Sequence, residues 1–220
     1  MNILLIESSS KKIEFGYGKN DEIVVLKELD SENNADSLIY MIKKIFDEKH
    51  IDFKDIDVVS LSNGPGSFTG LRIGSAIAKG ICFALNCKLL EIPTLDIIAN
   101  KYKGLMEGEV LTSLIFSNSK SREFYSADYI YENKELKRVS EYSTGFLDTF
   151  ENKKYIVNEK NEFEFPVDLD VINVSEISNI RSQFELSIKY IKEGRYSDFR
   201  LSEPFYMKTF VPLKPVKKNK

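Results

Sequence analysis

The chain has 220 residues, of which 42% are hydrophobic and 30% are charged, and its formal net charge is -3. This length and composition predict a globular protein with material for one large domain or two smaller ones. The slightly acidic balance argues against a protein that binds nucleic acid across a broad face by itself.

The pattern along the first hundred residues predicts the element order βββαβαβα. Short apolar or alternating runs predict strands, and apolar residues at helical spacing predict helices. The strands are expected at residues 3–6, 13–17, 23–29, 57–61 and 88–92, and the helices at 34–48, 70–85 and 94–102.

The second half of the chain repeats this kind of order after a predicted boundary at residues 104–108. Its expected strands are 110–116, 124–131 and 136–142, with weaker ones near 155–157 and 171–174, and its helix is 175–192. Three strands followed by helix and strand elements thus occur twice. The sequence predicts an α/β fold of two similar lobes, each a mixed sheet with flanking helices, at residues 1–103 and 104–206.

The end of the chain differs in composition from the rest. Residues 207–220 carry five lysines and no acidic residue. A short basic tail is usually a flexible, solvated end, which is our prediction here. Contact of this tail with a polyanion such as tRNA is the alternative.

Cysteine use and hydropathy bear on the cellular compartment. The two cysteines, Cys82 and Cys87, form no CxxC pair, so we expect a reduced protein in the cytoplasm. The apolar start of the chain has no basic residues before it and is too short for a signal peptide. No segment reaches the roughly 18 apolar residues of a membrane span, so no membrane association is expected.

The segment at residues 63–74, with the sequence NGPGSFTGLRIG, is rich in glycine. Gly64, Pro65 and Gly66 predict a tight turn after a buried strand, and Ser67 or Thr69 can cap the helix that follows. Backbone N–H groups at such a helix start can bind an anion. The alternative is a turn, a cap and close helix–sheet packing without any ligand, since no Walker lysine follows.

These residues carry a specific resemblance to a known family. The stretch GPGSFTGLRIG at 64–74, together with ILLIESS at 3–9, resembles the TsaB (YeaZ) family. Weaker likenesses are IPTLD at 92–96, REFY at 122–125 and EPFYMK at 203–208. The resemblance implies an actin-like ATPase fold of two ribonuclease H-like lobes. It also implies pairing with a catalytic paralogue, TsaD, which transfers a threonylcarbamoyl group to tRNA adenosine with the help of an ATPase, TsaE.

The resemblance further implies that this subunit is not catalytic. The paralogue binds its metal through two histidines four residues apart, and the corresponding positions here hold Thr94 and Ile98. The single histidine, His50, falls at the end of the first predicted helix, where a solvated role is expected. No Cys/His cluster or Ser–His pairing is apparent in the sequence. We therefore predict neither catalytic residues nor a metal site.

A remnant of a nucleotide site is the remaining ligand hypothesis. Glu7 ends the first strand, where actin-like folds carry an acid that faces the cleft between the lobes. Asn118 stands where the family pattern often has aspartate, which weakens the nucleotide interpretation. The alternative roles for Glu7 are structural remnant and turn cap. The residues of this vestigial nucleotide or anion loop are Glu7, Ser8, Gly64, Gly66, Ser67 and Thr69.

Two helices are more apolar than one sheet face requires. The helix at 70–85 is apolar on nearly all sides, and Gly74, Ala78 and Cys82 form a ridge of small residues. Close packing within the core is one reading; the other is a surface that docks a TsaD-like subunit, or a second copy when the chain is alone. The predicted partner-binding residues are Leu38, Ile39, Met41, Ile42, Phe46, Ile73, Gly74, Ile77, Ala78 and Ile81.

The predicted function is therefore that of a scaffold or activator subunit in tRNA threonylcarbamoyladenosine synthesis. Its expected partners are a TsaD-like protein, a TsaE-like ATPase in a larger complex, and tRNA indirectly. No cofactor is expected, except a weak or shared ATP or ADP site at the partner interface. The alternative is a nucleotide-binding or metal-dependent glycopeptidase-like enzyme of the same fold.

Overall fold

The computed structural model describes residues 1–10, 12–29, 37–103, 107–116, 123–146, 149–158, 165 and 169–207. Four predictions fall wholly or partly outside the described residues. They are the basic tail after residue 207, the start of the first helix at 34–36, the boundary at 104–106 and the role of Asn118.

The first five strands form one mixed sheet. The hairpin between the second and third strands turns at Asn20 and Asp21, both with positive φ, as a type I′ turn requires. The order is β3-β2-β1-β4-β5; β3, β2 and β1 are antiparallel, and β1, β4 and β5 run parallel. The strands are β1 (Asn2–Glu7), β2 (Ile13–Lys19), β3 (Glu22–Leu29), β4 (Val58–Ser62) and β5 (Lys88–Ile92), as the sequence predicts to within two residues.

Two helices cover one face of this sheet. They are α1 (Leu38–Glu48) and α2 (Phe68–Leu85). Leu4 and Ile6 of β1 point toward them, whereas Ile3 and Leu5 point to the opposite face, because side chains alternate along a strand. Both faces of β1 are therefore buried, which explains its continuous apolar run.

The later strands form a second sheet, with the order β11-β10-β6-β7-β8 and β9 also paired to β7. The predicted strand at 136–142 is wrong in its second half: the chain leaves β7 there and returns as β9, which the sequence analysis missed. Ser140 occupies the gap, where its hydroxyl oxygen accepts from the backbone N–H of Asp128 at 2.8 Å. The strands are β6 (Val110–Phe116), β7 (Glu123–Glu132), β8 (Glu135–Arg138), β9 (Ser143–Phe146), β10 (Lys154–Val157) and β11 (Asp170–Asn173).

Two helices lie between the sheets and cross the predicted lobe boundary. Helix α3 (Thr94–Asn100) follows the first sheet in sequence, but its Leu95 and Ile98 pack on the second. Helix α4 (Asn179–Lys192) follows the second sheet, but its Ile180 and Phe184 pack on the first. The division at residue 103 therefore separates the two sheets and does not separate the helices that pack on them.

The start of α4 differs from the predicted position at residue 175. The hydroxyl oxygen of Ser178 accepts from the backbone N–H of Ile180 at 3.2 Å, which caps the helix at that point. Beyond α4 the chain returns to the first sheet, where Ser197 bridges Leu89 at the free edge of β5.

Helix α2 corrects the prediction about membrane spans. Among the described residues it is the one helix long and apolar enough to cross a membrane, with 18 residues and a mean hydropathy of 1.3. Its Leu71, Ala78 and Cys82 are buried, with Ala78 and Cys82 part of the core on the first sheet. The core helix of a globular protein meets the same criteria, and 39% of these 18 residues are buried within the structure.

Candidate functional site

The glycine-rich segment lies where β4 ends and α2 begins. The peptide bond between Gly64 and Pro65 is cis, and the carbonyl oxygen of Gly64 accepts from the backbone N–H of Thr94 at 2.7 Å. Ser67 caps α2, since its hydroxyl oxygen accepts from the N–H of Gly70 at 3.3 Å. The predicted turn and the cap at Ser67 are present, whereas Thr69 is an exposed residue of the first helical turn.

The chain itself packs against this segment. The backbone N–H of Ser67 donates to the carbonyl oxygen of Ser9 at 2.6 Å. A Cβ atom on Gly66 would lie 2.1 Å from that same oxygen, and one on Gly70 would lie 1.9 Å from the carbonyl oxygen of Ser8. Close approach of the turn after β1 accounts for both glycines without a ligand. The anion or nucleotide role of this loop stays a prediction.

Residues near the end of the described chain cover the other side of the loop. The N–H of Phe205 donates to the carbonyl oxygen of Asn63 at 2.8 Å. The Tyr206 ring lies 5.2 Å from the Phe68 ring, and the Tyr206 hydroxyl accepts from Nε of Arg72 at 3.2 Å. The sequence analysis quoted this segment only for its resemblance; its contact with the loop links residues about 140 positions apart, which no local pattern encodes.

Glu7 is completely buried at the end of β1. Its Oε1 accepts from the backbone N–H and the hydroxyl of Ser9 at 2.6 and 2.5 Å, and its Oε2 has no hydrogen-bond partner among the described residues. Burial raises the pKa of Glu7 above its ordinary value, and the hydrogen bonds from Ser9 partly offset this rise. Its neighbour on β2 is Glu14, whose carboxylate accepts from the N–H of Asn179 at 2.7 Å.

A half-buried amine, that of Lys101, lies near these two acids. Burial lowers the pKa of Lys101 to about 8, while the charges of Glu14 and Glu7 act in the opposite direction. The Lys101 ammonium donates to the side-chain oxygen of Asn158 at 2.5 Å. Lys101 and the two acids therefore lie near one another, but each is hydrogen-bonded to a neutral group and not to an opposite charge.

Replacing Glu7 with glutamine is expected to raise the free energy of unfolding at neutral pH. The folded-state pKa of Glu7 lies above its ordinary value of 4.5, so ionisation of this buried group opposes folding as the pH rises above that value. A neutral amide avoids this cost, and its oxygen can keep both contacts with Ser9. Urea unfolding should show the largest gain at about pH 7 and a much smaller one at about pH 4.

The matched control for that variant is Glu48→Gln, because Glu48 is an exposed acid on α1. We expect its stability to stay near that of the unsubstituted protein at both pH values. If Glu7→Gln is the less stable protein at neutral pH, the second carboxylate oxygen has a partner in solution and the pH argument fails.

Six of the ten predicted partner-binding residues are buried within the chain. Leu38, Ile42 and Phe46 are completely buried on the sheet side of α1. On α2, Gly74, Ala78 and Ile81 are also buried. Both helices are apolar on more than one side, so composition did not distinguish the side that faces the sheet from the side that faces solvent.

The remaining predicted residues lie on the exposed or partly exposed sides of the two helices. We call the apolar residues on these sides the α1/α2 face. Ile39 is 41% exposed, and its neighbour Tyr40 is 65% exposed. Phe83, near the end of α2, is 79% exposed, although the sequence analysis did not include it. Phe83 follows Ala76 and Gly80 at helical spacing, and this pattern could have assigned it to the same side of α2 from the sequence. The α1/α2 face comprises Ile39, Tyr40, Met41, Ile73, Ala76, Ile77, Gly80 and Phe83.

A carboxylate and three phenols join α3, the second sheet and α4. Asp96 accepts hydrogen bonds from the hydroxyls of Tyr129 at 2.6 Å, Tyr142 at 3.0 Å and Tyr190 at 3.3 Å. Burial, with the Asp96 charge as the next cause, raises the pKa of Tyr190 to about 12 and that of Tyr129 well above its ordinary value. Arg195 stacks on the Tyr190 ring at 3.7 Å. This cluster ties the two sheets together through α3 and α4.

Thr94 and Ile98, which stand where the resemblance places two metal-binding histidines of the catalytic paralogue, have other roles in this structure. The Thr94 hydroxyl lies 3.0 Å from that of Ser62, and Ile98 is completely buried in the core of the second sheet. His50 is exposed just after α1, with a φ of 54°. In the part of the chain that the structure describes, no group of three or more His, Cys, Asp or Glu residues is arranged to hold a metal ion.

Comparison with known proteins gives relatives in one family. The family model described as "TsaD: tRNA N6-adenosine threonylcarbamoyltransferase" matches residues 25–184. The TsaB protein of Buchnera aphidicola subsp. Acyrthosiphon pisum, a tRNA threonylcarbamoyladenosine biosynthesis protein, is 28% identical over 83% of this chain and 81% of its own length. The TsaB protein of Haemophilus influenzae is 24% identical over 60% of this chain and 55% of its own length.

The catalytic type of protein is matched over a shorter stretch. The tRNA N6-adenosine threonylcarbamoyltransferase of Ligilactobacillus salivarius is 34% identical over 39% of this chain and 24% of its own length. Among solved structures, YeaZ from Pseudomonas aeruginosa superimposes with a TM-score of 0.74 at 16% identity, covering 94% of this chain and 99% of its own. This likeness confirms the predicted α/β fold, in which two mixed sheets carry flanking helices.

Proposed function

Because this chain belongs to the TsaD family, whose model matches residues 25–184, we propose that it is the non-catalytic, TsaB-like subunit that pairs with a TsaD-like catalytic protein. The two would act together in threonylcarbamoyl transfer to tRNA adenosine, in the cytoplasm where tRNA is modified. The observation that carries the proposal is the exposed apolar surface of the two helices, since Tyr40 of α1 and Phe83 of α2 are 65% and 79% exposed.

The non-catalytic part of the proposal is supported by the residues at the compared metal positions. Metal ligation requires nitrogen, sulfur or oxygen donors that are free to bind. Ile98 has none, and Thr94 is buried against Ser62. The sequence has one histidine in total, and it is exposed at the far end of α1. A metal-dependent transferase would need ligands from elsewhere, and a TsaD-like partner would supply them.

The pairing part of the proposal is supported by the shape and chemistry of the α1/α2 face. Small residues such as Ala76 and Gly80 alternate with the large side chains of Ile77 and Phe83 along α2. A Cβ atom on Gly80 would meet nothing within 4 Å, so the backbone is open there to a close approach. Side chains of a helix from a second protein can pack into the groove that these small residues leave on α2. A partner of the same fold would offer equivalent helices, and a second copy of this chain would use the same face when alone.

Further partners follow from the same proposal. A TsaE-like ATPase would join the larger complex, and tRNA would be bound indirectly, through the catalytic partner. We propose no cofactor for the isolated chain; a weak ATP or ADP site shared across the partner interface stays a prediction.

Charged substitutions on the α1/α2 face test the proposal. Ile39→Asp, Met41→Arg and Phe83→Asp should each weaken binding of the TsaD-like protein by about 100-fold or more, because a buried charge without a partner replaces an apolar contact. The measurement is size-exclusion chromatography with light scattering, first on this protein alone and then with its organism's TsaD-like protein, followed by titration calorimetry.

The control is Val139→Asp, since Val139 is 53% exposed and lies on the second lobe, away from α1 and α2. It should bind the partner like the unsubstituted protein. Thermal unfolding of the Ile39→Asp, Phe83→Asp and Val139→Asp variants should stay close to that of the parent, whereas Met41→Arg should lose some stability because Met41 packs partly against the core. If the unsubstituted proteins form no complex at micromolar concentration, the pairing proposal is wrong; if they associate and all three variants still bind, the face is misplaced.

A further inference from the structure

The two cysteines of the chain meet at the end of α2. The helix ends at Leu85, and Asn86 adopts the left-handed conformation, with a φ of 53°. In this type of helix end, the third residue before the last helical one contacts the residue that follows the left-handed position. Those two positions hold Cys82 and Cys87. The motif that stops the helix therefore places both sulfur atoms on the same side of the turn.

The two thiols belong to the same apolar cluster and differ in their access to solvent. Cys87 packs against the core on the first sheet, of which Cys82 is a member, and the Cys82 sulfur lies 3.6 Å from the carbonyl oxygen of Lys88. Cys82 is completely buried, and Cys87 is half-buried. Interaction with Cys82 lowers the pKa of Cys87, and the same interaction, with burial, raises that of Cys82. The half-buried sulfur is the one that a reagent in solution can reach, and the buried thiol lies on the same side of the turn.

An accessible thiol beside a second thiol is the arrangement that redox-sensitive sites use. We propose that Cys82 and Cys87 form a site of reversible oxidation, at which a peroxide converts the two thiols into an intramolecular disulfide across the end of α2. The inference rests on the helix-end geometry and stands independently of the proposed function.

The steps balance in atoms and electrons. The Cys87 thiolate attacks one oxygen of hydrogen peroxide, the O–O bond breaks, and hydroxide leaves to take up a proton as water, which gives Cys87 sulfenic acid. The sulfur of Cys82 then attacks the sulfur of Cys87, the S–O bond breaks, and the departing hydroxide takes the thiol proton of Cys82 as a second water. The two thiols lose two electrons in total, and the peroxide gains them.

The site should be selective, and its effect on global stability should be small. The chain contains two cysteines in total, so no third thiol competes for the sulfenic acid. The disulfide closes a loop of only a few residues, which removes little entropy from the unfolded chain. The primary readout is therefore covalent chemistry.

The experiment treats the full-length reduced protein with a small excess of hydrogen peroxide and measures the intact mass and a peptide map. We expect a loss of about 2 Da in the monomer, with the peptides of Cys82 and Cys87 joined, and full reversal by dithiothreitol. The Cys82→Ser variant should instead accumulate a sulfenic acid that dimedone traps. The Cys87→Ser variant should show neither product.

Two results would overturn the proposal. One is a gain of oxygen atoms in the unsubstituted protein without the loss of about 2 Da; the other is covalent dimers in place of the intramolecular bond. Because the first measurement uses the unsubstituted protein, it decides the question even if replacing the buried Cys82 disturbs folding.

Discussion

Replacing Gly70 with alanine is expected to lower the free energy of unfolding by about 3 kcal/mol or more. The added Cβ would lie 1.9 Å from the carbonyl oxygen of Ser8, which is backbone and cannot rotate away. The same two residues are also joined by the Ser8 hydroxyl, which donates to the carbonyl oxygen of Gly70 at 2.8 Å. Either α2 or the turn after β1 must therefore move. Urea unfolding followed by far-UV circular dichroism measures the loss.

Gly80→Ala is the matched control, because it makes the same change in the same helix. A Cβ on Gly80 would meet nothing within 4 Å, so the variant should be more stable than the parent by about 0.5–1 kcal/mol. Opposite signs for the two alanine variants would show that Gly70 is required for packing and not for backbone flexibility. If Gly70→Ala unfolds within about 1 kcal/mol of the parent, the turn after β1 has room to withdraw and the packing argument is wrong.

Replacing Asp96 with alanine is expected to destabilise the protein by about 3–4 kcal/mol. The carboxylate accepts from three phenols, at 2.6, 3.0 and 3.3 Å, and the Tyr129 side chain is almost completely buried. Without Asp96, the Tyr129 hydroxyl loses a charged acceptor in a place that water does not readily reach. Denaturant unfolding measures the loss, and Asp170→Ala, at an exposed acid, should change stability by less than about 0.5 kcal/mol.

Two further measurements distinguish lost hydrogen bonds from lost packing. Adding Tyr129→Phe to Asp96→Ala removes the stranded hydroxyl and should recover part of the stability. The raised pKa of Tyr190, at about 12, means that the folded state holds its proton more tightly than the unfolded state. The free energy of unfolding should therefore fall as the pH rises from about 10 to about 12, and less steeply in Asp96→Ala. This role for Asp96 would be contradicted if the stability losses of Asp96→Ala and Tyr129→Phe simply add in the double variant. That contradiction would also require that the free energy of unfolding of Asp96→Ala falls at alkaline pH as steeply as that of the parent.

The predictions for Gly70 and Asp96 concern residues inside the fold and not residues of the α1/α2 face. This difference helps to distinguish effects on stability from effects on partner binding. Gly70 lies on the buried side of the helix that carries Phe83, and Asp96 lies between the sheets. Variants at either position should lose stability first and partner binding only as a consequence. The charged variants on the face should do the reverse. A protein whose binding and stability fell together in every variant would not have a separate docking surface.

The sequence by itself determined the local elements and the family. Among the described residues, ten of the eleven strands fall where alternation or continuous apolar runs predicted them, because side-chain direction in a strand follows from backbone geometry alone. The cap at Ser67 was equally predictable, since it depends on residues three positions apart. The glycine-rich segment carried the family resemblance because glycines in close backbone contact, such as Gly66 and Gly70, can hardly be replaced by any other residue.

Only the tertiary structure decided which surfaces are free. Leu38 and Ile39 are neighbours of similar hydrophobicity, yet one is completely buried and the other is 41% exposed. The return of α4 to the first sheet and the three tyrosines around Asp96 likewise join residues far apart in the chain. The hydrophobic effect has no preferred direction, so an apolar pattern predicts that a side chain is buried but does not predict which element covers it. The packing of whole helices and sheets decides which element covers each apolar side chain. A short stretch of sequence does not contain that information.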